Sequence, residues 1–127
     1  MKIVIAPDSF KGTVSAARAA RIVAGEAEKL FPGAELVSVP VADGGEGTME
    51  ALLLALGGTE AAVSATGPMG TPVSARYARL DGGAAVVEMA QASGLPLVPH
   101  SSRDPLKATS RGTGELIRRA LEDGADH

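Results

Sequence analysis

The feature that most constrains the fold is the alternation of strand-like and helix-like patterns at the start of the chain. Lys2–Ala6 is a short β-branched run that predicts a buried strand, and Ala34–Val41 is a second apolar run. Each run is followed by apolar residues at helical spacing, in Ala16–Phe31 and in Met49–Leu56. Because a strand-helix-strand-helix order builds a parallel sheet, this order predicts a Rossmann-like or flavodoxin-like α/β unit.

The pattern changes near residue 60. Three strand-like segments follow, Ala61–Thr66, Thr71–Leu80 and Ala84–Ala90, joined by turns rich in glycine. Apolar and polar residues alternate in the middle segment, which predicts a half-buried antiparallel strand. A helix is predicted over Glu115–Glu122. We therefore expect an antiparallel three-strand meander and a helix that begin a second, incomplete α/β domain.

The predicted division places residues 1–59 in a parallel α/β domain and residues 60–127 in a second domain with antiparallel strands.

Glu88 lies within the last strand-like segment, where an acid faces either solvent or a cleft, and solvent is the expected side. Residues 91–107 predict a loop. His100 in this loop has no second histidine near it in the sequence, which argues against a histidine metal site.

Composition limits the classes of function. The chain has 127 residues, enough for one small domain or for part of a larger protein, and its 2% aromatic content predicts a core of Ala, Val and Leu. The absence of cysteine excludes a disulfide framework and thiolate chemistry. A net charge of −3 argues against a nucleic-acid surface, and no apolar run approaches the roughly 20 residues of a membrane span. These features favour a cytoplasmic protein without nucleic-acid or membrane partners.

The strongest candidate site is the glycine-rich stretch between the second predicted strand and the second predicted helix. Asp43 comes at the carboxyl end of the strand, where open α/β sheets place their ligands. Glycines admit a ligand close to the backbone, and the N–H groups of a helix start favour an anion. We predict ligand contacts here from Gly44, Gly45, Glu46 and Gly47. The alternative is a strand-to-helix turn that binds nothing.

Two familiar nucleotide motifs do not account for this stretch. It contains no Gly-x-x-x-x-Gly-Lys-Ser/Thr sequence, so it is not a Walker A loop. Gly45 and Gly47 supply Gly-x-Gly, but Glu50 stands where a dinucleotide fingerprint has its third glycine. Because this glycine is missing, the stretch argues against the hypothesis that the chain is half of a nucleotide-dependent oxidoreductase.

Two further segments combine charge and hydroxyl groups. The loop after the first strand brings together Asp8, Ser9 and Lys11, with a plain helix-capping turn at Thr13 or Ser15 as the alternative. The segment before the last predicted helix also suits an anion, although it could be an elaborate N-cap. Its candidate ligand residues are Thr109, Ser110, Arg111, Gly112 and Thr113.

Several strings in register together resemble the bacterial glycerate kinases that yield 2-phosphoglycerate. The strings are Ala6–Thr13, Val41–Thr48, Val87–Ala90 with Ser93–Leu95, and Thr109–Leu116. The resemblance implies a two-domain α/β cytoplasmic enzyme that transfers the γ-phosphoryl group of ATP to glycerate with Mg²⁺. It also implies a parent protein more than twice as long as this chain.

The resemblance assigns motif positions to Asp8, Lys11, Asp43, Glu46 and Arg111. It implies that Asp43 or Asp8 serves as general base or Mg²⁺ ligand, and that Lys11 and Arg111 neutralise phosphate or the glycerate carboxylate. Which of these residues hold ATP and which hold glycerate stays open. The alternative is a non-catalytic ligand-binding or assembly fragment, and the isolated chain is expected to be inactive and marginally stable.

Overall fold

The computed structural model describes residues 1–10 and 13–127. Its internal contacts divide the chain into two compact units, Met1–Ala51 (unit 1) and Leu52–His127 (unit 2). Both units combine helices and strands, which confirms the predicted α/β class. The predicted domain boundary near residue 60 remains a prediction.

Unit 1 contains a parallel strand pair. Strand β1 (Lys2–Ile5) pairs with β2 (Glu35–Ser38), with Ile5 opposite Ser38. Backbone hydrogen bonds from Val39 N to Ile5 O (2.8 Å) and from Val41 N to Pro7 O (3.1 Å) continue the pairing beyond both strands. The assigned strand β2 ends at Ser38 and is shorter than the predicted Ala34–Val41, although these hydrogen bonds continue the pairing to Val41.

Helix α1 (Ala16–Leu30) connects the two strands and confirms the predicted helix. The Ser15 side chain accepts a hydrogen bond from Arg18 N at 3.3 Å, so Ser15 is the N-cap, one of the two residues foreseen for this role. Ala19 and Ala20 are buried, whereas Leu30 at the end of the helix is 72% exposed. Helix α2 (Thr48–Leu56) begins in unit 1, with Met49 buried, and ends in unit 2.

Unit 2 contains the predicted meander. Strands β3 (Thr59–Thr66), β4 (Pro72–Arg79) and β5 (Ala85–Val86) form an antiparallel sheet in that order. β5 has two residues where the sequence predicted seven, because the next residues turn into the short helix α3 (Ala90–Ser93). The carbonyls of residues 88 and 89 accept helical hydrogen bonds and therefore leave the ladder.

Glu88 is buried, with 5% of its surface exposed, so the expectation that it faces solvent is wrong. The alternation that would have placed it on the solvent side ends with β5. Glu88 instead lies at the turn into α3, where its carbonyl accepts a hydrogen bond from Gln91 N at 3.0 Å.

Helix α4 (Arg111–Glu122) packs on the sheet of unit 2 and begins earlier than predicted. The prediction began at Glu115, but Thr113 N already donates to Ser110 O at 3.1 Å. Leu116 is fully buried, whereas its neighbour Ile117 is 48% exposed. The core around Leu116 contains Tyr77 and small residues, namely Ala65, Ala75, Ala92 and Ala120.

A polar contact joins Tyr77, a residue of this core, to the end of α4. The fully buried Tyr77 donates its hydroxyl hydrogen to Asp123 Oδ2, which also accepts a hydrogen bond from Arg119 Nε at 3.1 Å. Burial, and after it the bond to Asp123, raises the pKa of Tyr77, while the Tyr77 hydroxyl, followed by Arg119, lowers the pKa of Asp123. The hydrogen bond between Tyr77 and Asp123 links the end of α4 to β4.

No helix in residues 1–10 and 13–127 combines the length and apolar character that crossing a membrane requires.

Candidate functional site

The glycine-rich turn lies between β2 and α2, as predicted. Asp43 is exposed, and its Oδ1 accepts a hydrogen bond from Gly45 N at 3.2 Å. Gly44 and Gly47 have φ angles of +96° and +94°, a conformation that favours glycine. The Thr48 hydroxyl donates to Gly45 O at 2.8 Å and closes the turn onto the first residue of α2. The positive φ angles explain why glycine stands at these two positions.

The loop after β1 carries the second candidate group. Asp8 is exposed, and its Oδ1 accepts a hydrogen bond from the N–H of Ser9 at 2.6 Å. Phe10 and Val14 form an isolated antiparallel bridge that returns the chain toward α1. Lys11, which the sequence analysis placed in the same site, lies outside the described residues.

The parallel pairing of β1 and β2 brings these two loops to one edge of the sheet. Asp8 follows β1 and Asp43 follows β2, and both strands end at their carboxyl edge with Ile5 opposite Ser38. This is the edge at which open α/β sheets bind ligands. The topology therefore places Asp8, Ser9 and residues 43–47 after the same edge of the parallel strand pair, and their contact with a ligand remains a prediction.

Carboxylate oxygens are suitable ligands for Mg²⁺, which uses one or two carboxylates together with substrate phosphates. Asp8 and Asp43 are exposed and supply such oxygens. Within the described part of the chain, no group of three or more His, Cys, Asp or Glu side chains lies close enough to hold a metal ion by itself. The role of Asp8 or Asp43 as a Mg²⁺ ligand remains a prediction.

The third candidate group lies in unit 2, at the start of α4. Arg111 is exposed, and its backbone N–H donates to the Thr109 hydroxyl at 3.1 Å. The Thr113 hydroxyl shares a 2.7 Å hydrogen bond with the Ser93 hydroxyl. Ser110 is the N-cap residue, although its side chain makes no capping hydrogen bond. The start of α4 is therefore held by the hydroxyls around it.

Gly112 has a packing role that the sequence did not reveal. It is buried, and a Cβ atom added to it would lie 2.0 Å from the carbonyl oxygen of Thr66. A side chain at this position would therefore separate α4 from the end of β3. The predicted contact of Gly112 with a phosphate group remains a prediction.

Glu115 is the residue of this region whose contacts the sequence analysis missed. Its Oε2 accepts a hydrogen bond from Thr66 N at 2.7 Å, and its Oε1 accepts from the Thr66 hydroxyl at 3.0 Å and from Arg111 Nε at 2.9 Å. The Thr66 N–H, then the Thr66 hydroxyl and Arg111, lower the pKa of Glu115. The signal in the sequence for the contact between Arg111 and Glu115 was their i, i+4 spacing, which makes two side chains neighbours on a helix.

The fold and the loops described above indicate a general class of protein. An α/β chain with acidic, glycine-rich turns at the carboxyl edge of parallel strands is typical of proteins that bind small anionic ligands. The described glycine-rich turn and the start of α4 belong to different units.

Comparison with known proteins gives the family. The model of the glycerate kinase family matches residues 3–127, so the chain belongs to this family. It is 56% identical to the glycerate 2-kinase of Escherichia coli K12 over 98% of this chain, and 52% identical to the glycerate kinase of Bacillus subtilis 168 over 99%. A crystal structure of a candidate glycerate kinase 2 from Salmonella typhimurium LT2 matches all of this chain with a TM-score of 0.80 and 50% identity.

The matched length is also informative. The chain spans 33% of each of the two curated relatives and 35% of the Salmonella protein. This chain is therefore similar to about a third of those proteins, and the resemblance found in its motifs is confirmed.

Proposed function

We propose that the whole protein to which this chain belongs phosphorylates glycerate with ATP and Mg²⁺, giving 2-phosphoglycerate and ADP in the cytoplasm. The observation that carries the proposal is the Asp43–Thr48 turn at the carboxyl edge of β1 and β2, in a chain of the glycerate kinase family. The names of the relatives support a kinase of a small hydroxy acid.

The proposed reaction needs an acceptor for one proton. The 2-hydroxyl oxygen of glycerate attacks the γ-phosphorus of ATP, the bond from that phosphorus to the β,γ-bridging oxygen breaks, and ADP leaves. The hydroxyl proton passes to a carboxylate, either Asp43 or Asp8. Both carboxylates are exposed and follow neighbouring parallel strands, so each suits the role.

The remaining charge must be neutralised and the phosphates oriented. When bound, Mg²⁺ supplies positive charge to phosphate oxygens, and the other aspartate of the pair would hold it. Arg111, and Lys11 outside the described residues, would contact phosphate or the glycerate carboxylate. In unit 1, the Ser9 hydroxyl and the backbone N–H groups of Gly44, Gly45, Glu46 and Gly47 would contact phosphate or substrate. For unit 2 the same kind of contact is proposed separately for Thr109, Ser110, Gly112 and Thr113.

Substituting Asp43 by Asn tests this proposal. We expect turnover of the whole protein to fall by about 10²-fold or more, because removing a general base has that effect, while its melting temperature changes little. The measurement is glycerate-dependent ADP release in a coupled assay, with phosphorus NMR to identify the phosphorylated position. Glu26→Gln, an exposed acid in α1, is the control variant.

Two results would change the proposal. Turnover near normal in Asp43→Asn, with a large loss in Asp8→Asn, would assign the base to Asp8. Wild-type whole protein without glycerate-dependent ADP release would overturn the kinase assignment and favour the non-catalytic binding role.

The 127-residue chain alone is expected to show no such turnover. Val4, Leu30 and Leu54 are 59%, 72% and 69% exposed, and exposed apolar side chains of this size favour association. Size-exclusion chromatography and the same ADP-release assay test this expectation. A monomer that melts cooperatively and turns over glycerate would show that the chain is a small enzyme by itself.

A further inference from the structure

The contacts of Glu115 extend from the sheet of unit 2 to a surface cation. Thr66 is the last residue of β3, and it donates both its backbone N–H and its hydroxyl to the Glu115 carboxylate. The same carboxylate accepts a hydrogen bond from Arg111 Nε. The guanidinium group is therefore tied to the sheet through one intervening carboxylate.

Glu115 and Arg111 differ in exposure, and the difference suits a partly buried carboxylate that holds an exposed, ligand-binding guanidinium group. The Glu115 side chain is 25% exposed, whereas the Arg111 side chain is 74% exposed. Nε is the guanidinium nitrogen that contacts Glu115, and the two Nη groups carry four further N–H donors, which suit a bidentate contact with an oxyanion. Holding the long arginine side chain before the ligand arrives reduces the entropy that binding would otherwise cost.

The backbone around the pair is held as well. Gly112 follows Arg111 and packs against the Thr66 carbonyl, and the Arg111 N–H is bonded to Thr109. The position of the guanidinium group therefore depends on the side-chain torsions of Arg111, which the contact with Glu115 restricts.

We propose that Glu115 is a positioning residue, which holds the Arg111 guanidinium group with its Nη donors directed at an oxyanion of the substrate. The inference rests on the proposed function, and the oxyanion is a phosphate of ATP or the carboxylate of glycerate. Glu115 itself touches neither substrate; it acts through Arg111.

The test is isothermal titration of the whole protein with ATP and, separately, with glycerate, which requires no turnover. Glu115→Gln is expected to weaken binding of one of the two ligands by about tenfold, equivalent to about 1.4 kcal/mol, and to leave the other unchanged. The ligand that loses affinity identifies the oxyanion. Glu122→Gln is the matched control, because Arg118 and Glu122 form another i, i+4 pair on the same helix.

The double variant separates positioning from a purely structural role. In an Arg111→Ala background, Glu115→Gln is expected to cause no further loss, because the residue through which it acts is gone. The same loss in both backgrounds, or wild-type affinity for both ligands in Glu115→Gln, would overturn the inference. Absence of binding in the wild-type protein would overturn it too.

One outcome keeps this inference distinct from the proposed function. Wild-type binding with the expected variant pattern but without phosphoryl transfer would leave the role of Glu115 standing and refute the kinase reaction. Should Glu115→Gln fail to fold by circular dichroism, Glu115→Asp replaces it, since it keeps the charge and shortens the reach to Nε.

Discussion

The starts of α2 and α4 both contain glycines beside polar residues, but different contacts hold them. At the start of α2, Asp43 bonds to Gly45 and Thr48 bonds back to Gly45, so the turn is closed by near neighbours in sequence. At the start of α4, Glu115 bonds to Thr66, 49 residues away in sequence. The turn before α2 is closed by local contacts, whereas the start of α4 combines local hydroxyl contacts with a contact to a separate strand.

The glycines differ in the same way. Gly47 before α2 adopts a positive φ angle with nothing within 4 Å of an added Cβ, so glycine is there for the backbone conformation. Gly112 in α4 has an ordinary φ angle but no space for a Cβ, so glycine is there for close packing. Two stretches that read alike in the sequence therefore use glycine for different physical reasons.

The largest expected effect comes from removing the apolar anchor of α4. Leu116→Ala should reduce the free energy of unfolding of unit 2 by about 2–5 kcal/mol, because Leu116 is fully buried. Ile117→Ala, at a neighbouring position that is 48% exposed, should cost less than about 1 kcal/mol. Urea unfolding followed by circular dichroism measures both. Equal losses would mean that α4 is not anchored through Leu116.

A smaller effect is expected at the close approach of α4 to β3. Gly112→Ala should destabilise the chain by about 1–3 kcal/mol, because the new methyl group meets the Thr66 carbonyl. Gly114→Ala in the same helix has open space and should stabilise it by up to about 1 kcal/mol. Thermal melts of the two variants should shift in opposite directions. A stabilising Gly112→Ala would remove the contrast between the two helix starts.

At the start of α2, an alanine is expected to cost backbone strain alone. Gly47→Ala should destabilise by about 1–2 kcal/mol, since a Cβ is disfavoured at positive φ even in open space. Gly25→Ala, which lies inside α1 with nothing within 4 Å of the new Cβ, should instead stabilise by up to about 1 kcal/mol. Chemical denaturation of both variants measures the difference, and a neutral Gly47→Ala would contradict the role given to this glycine.

The smallest expected effect is a dependence on pH at the start of α4. The folded-state pKa of Glu115 is lowered, chiefly by the Thr66 N–H, so its stabilising contribution is complete above the ordinary glutamate value of about 4.3. The contribution is lost as the pH falls through the lower pKa of the folded state. NMR of the Thr66 amide from pH 7 to pH 2 should show this titration in the wild type. Its persistence in Glu115→Gln would assign the titration to another group.

The sequence predicted what depends on local pattern. Ala16–Leu30, the parallel strands around it and the meander follow from periodicity and turn residues, and the motif strings led to the family that the comparisons confirm. It mispredicted Glu88, because strand alternation could be extended past Val86 with no local signal of the turn. It missed the role of Glu115, because a bond to Thr66 depends on how β3 and α4 pack. The assignment of ligand-binding roles to the candidate residues remains a prediction.

The contact between Tyr77 and Asp123 also gives the chain an optical probe. Tyr77 is the one tyrosine in a sequence without tryptophan, so near-ultraviolet emission comes from a single buried position in unit 2. An excited phenol is a stronger acid than an unexcited one, so we expect the hydrogen-bonded Asp123 carboxylate to take up its proton and to quench the emission of the folded protein. Emission should therefore rise when α4 separates from β4. Unfolding of unit 2 can be followed without a label, while circular dichroism reports the helices of both units.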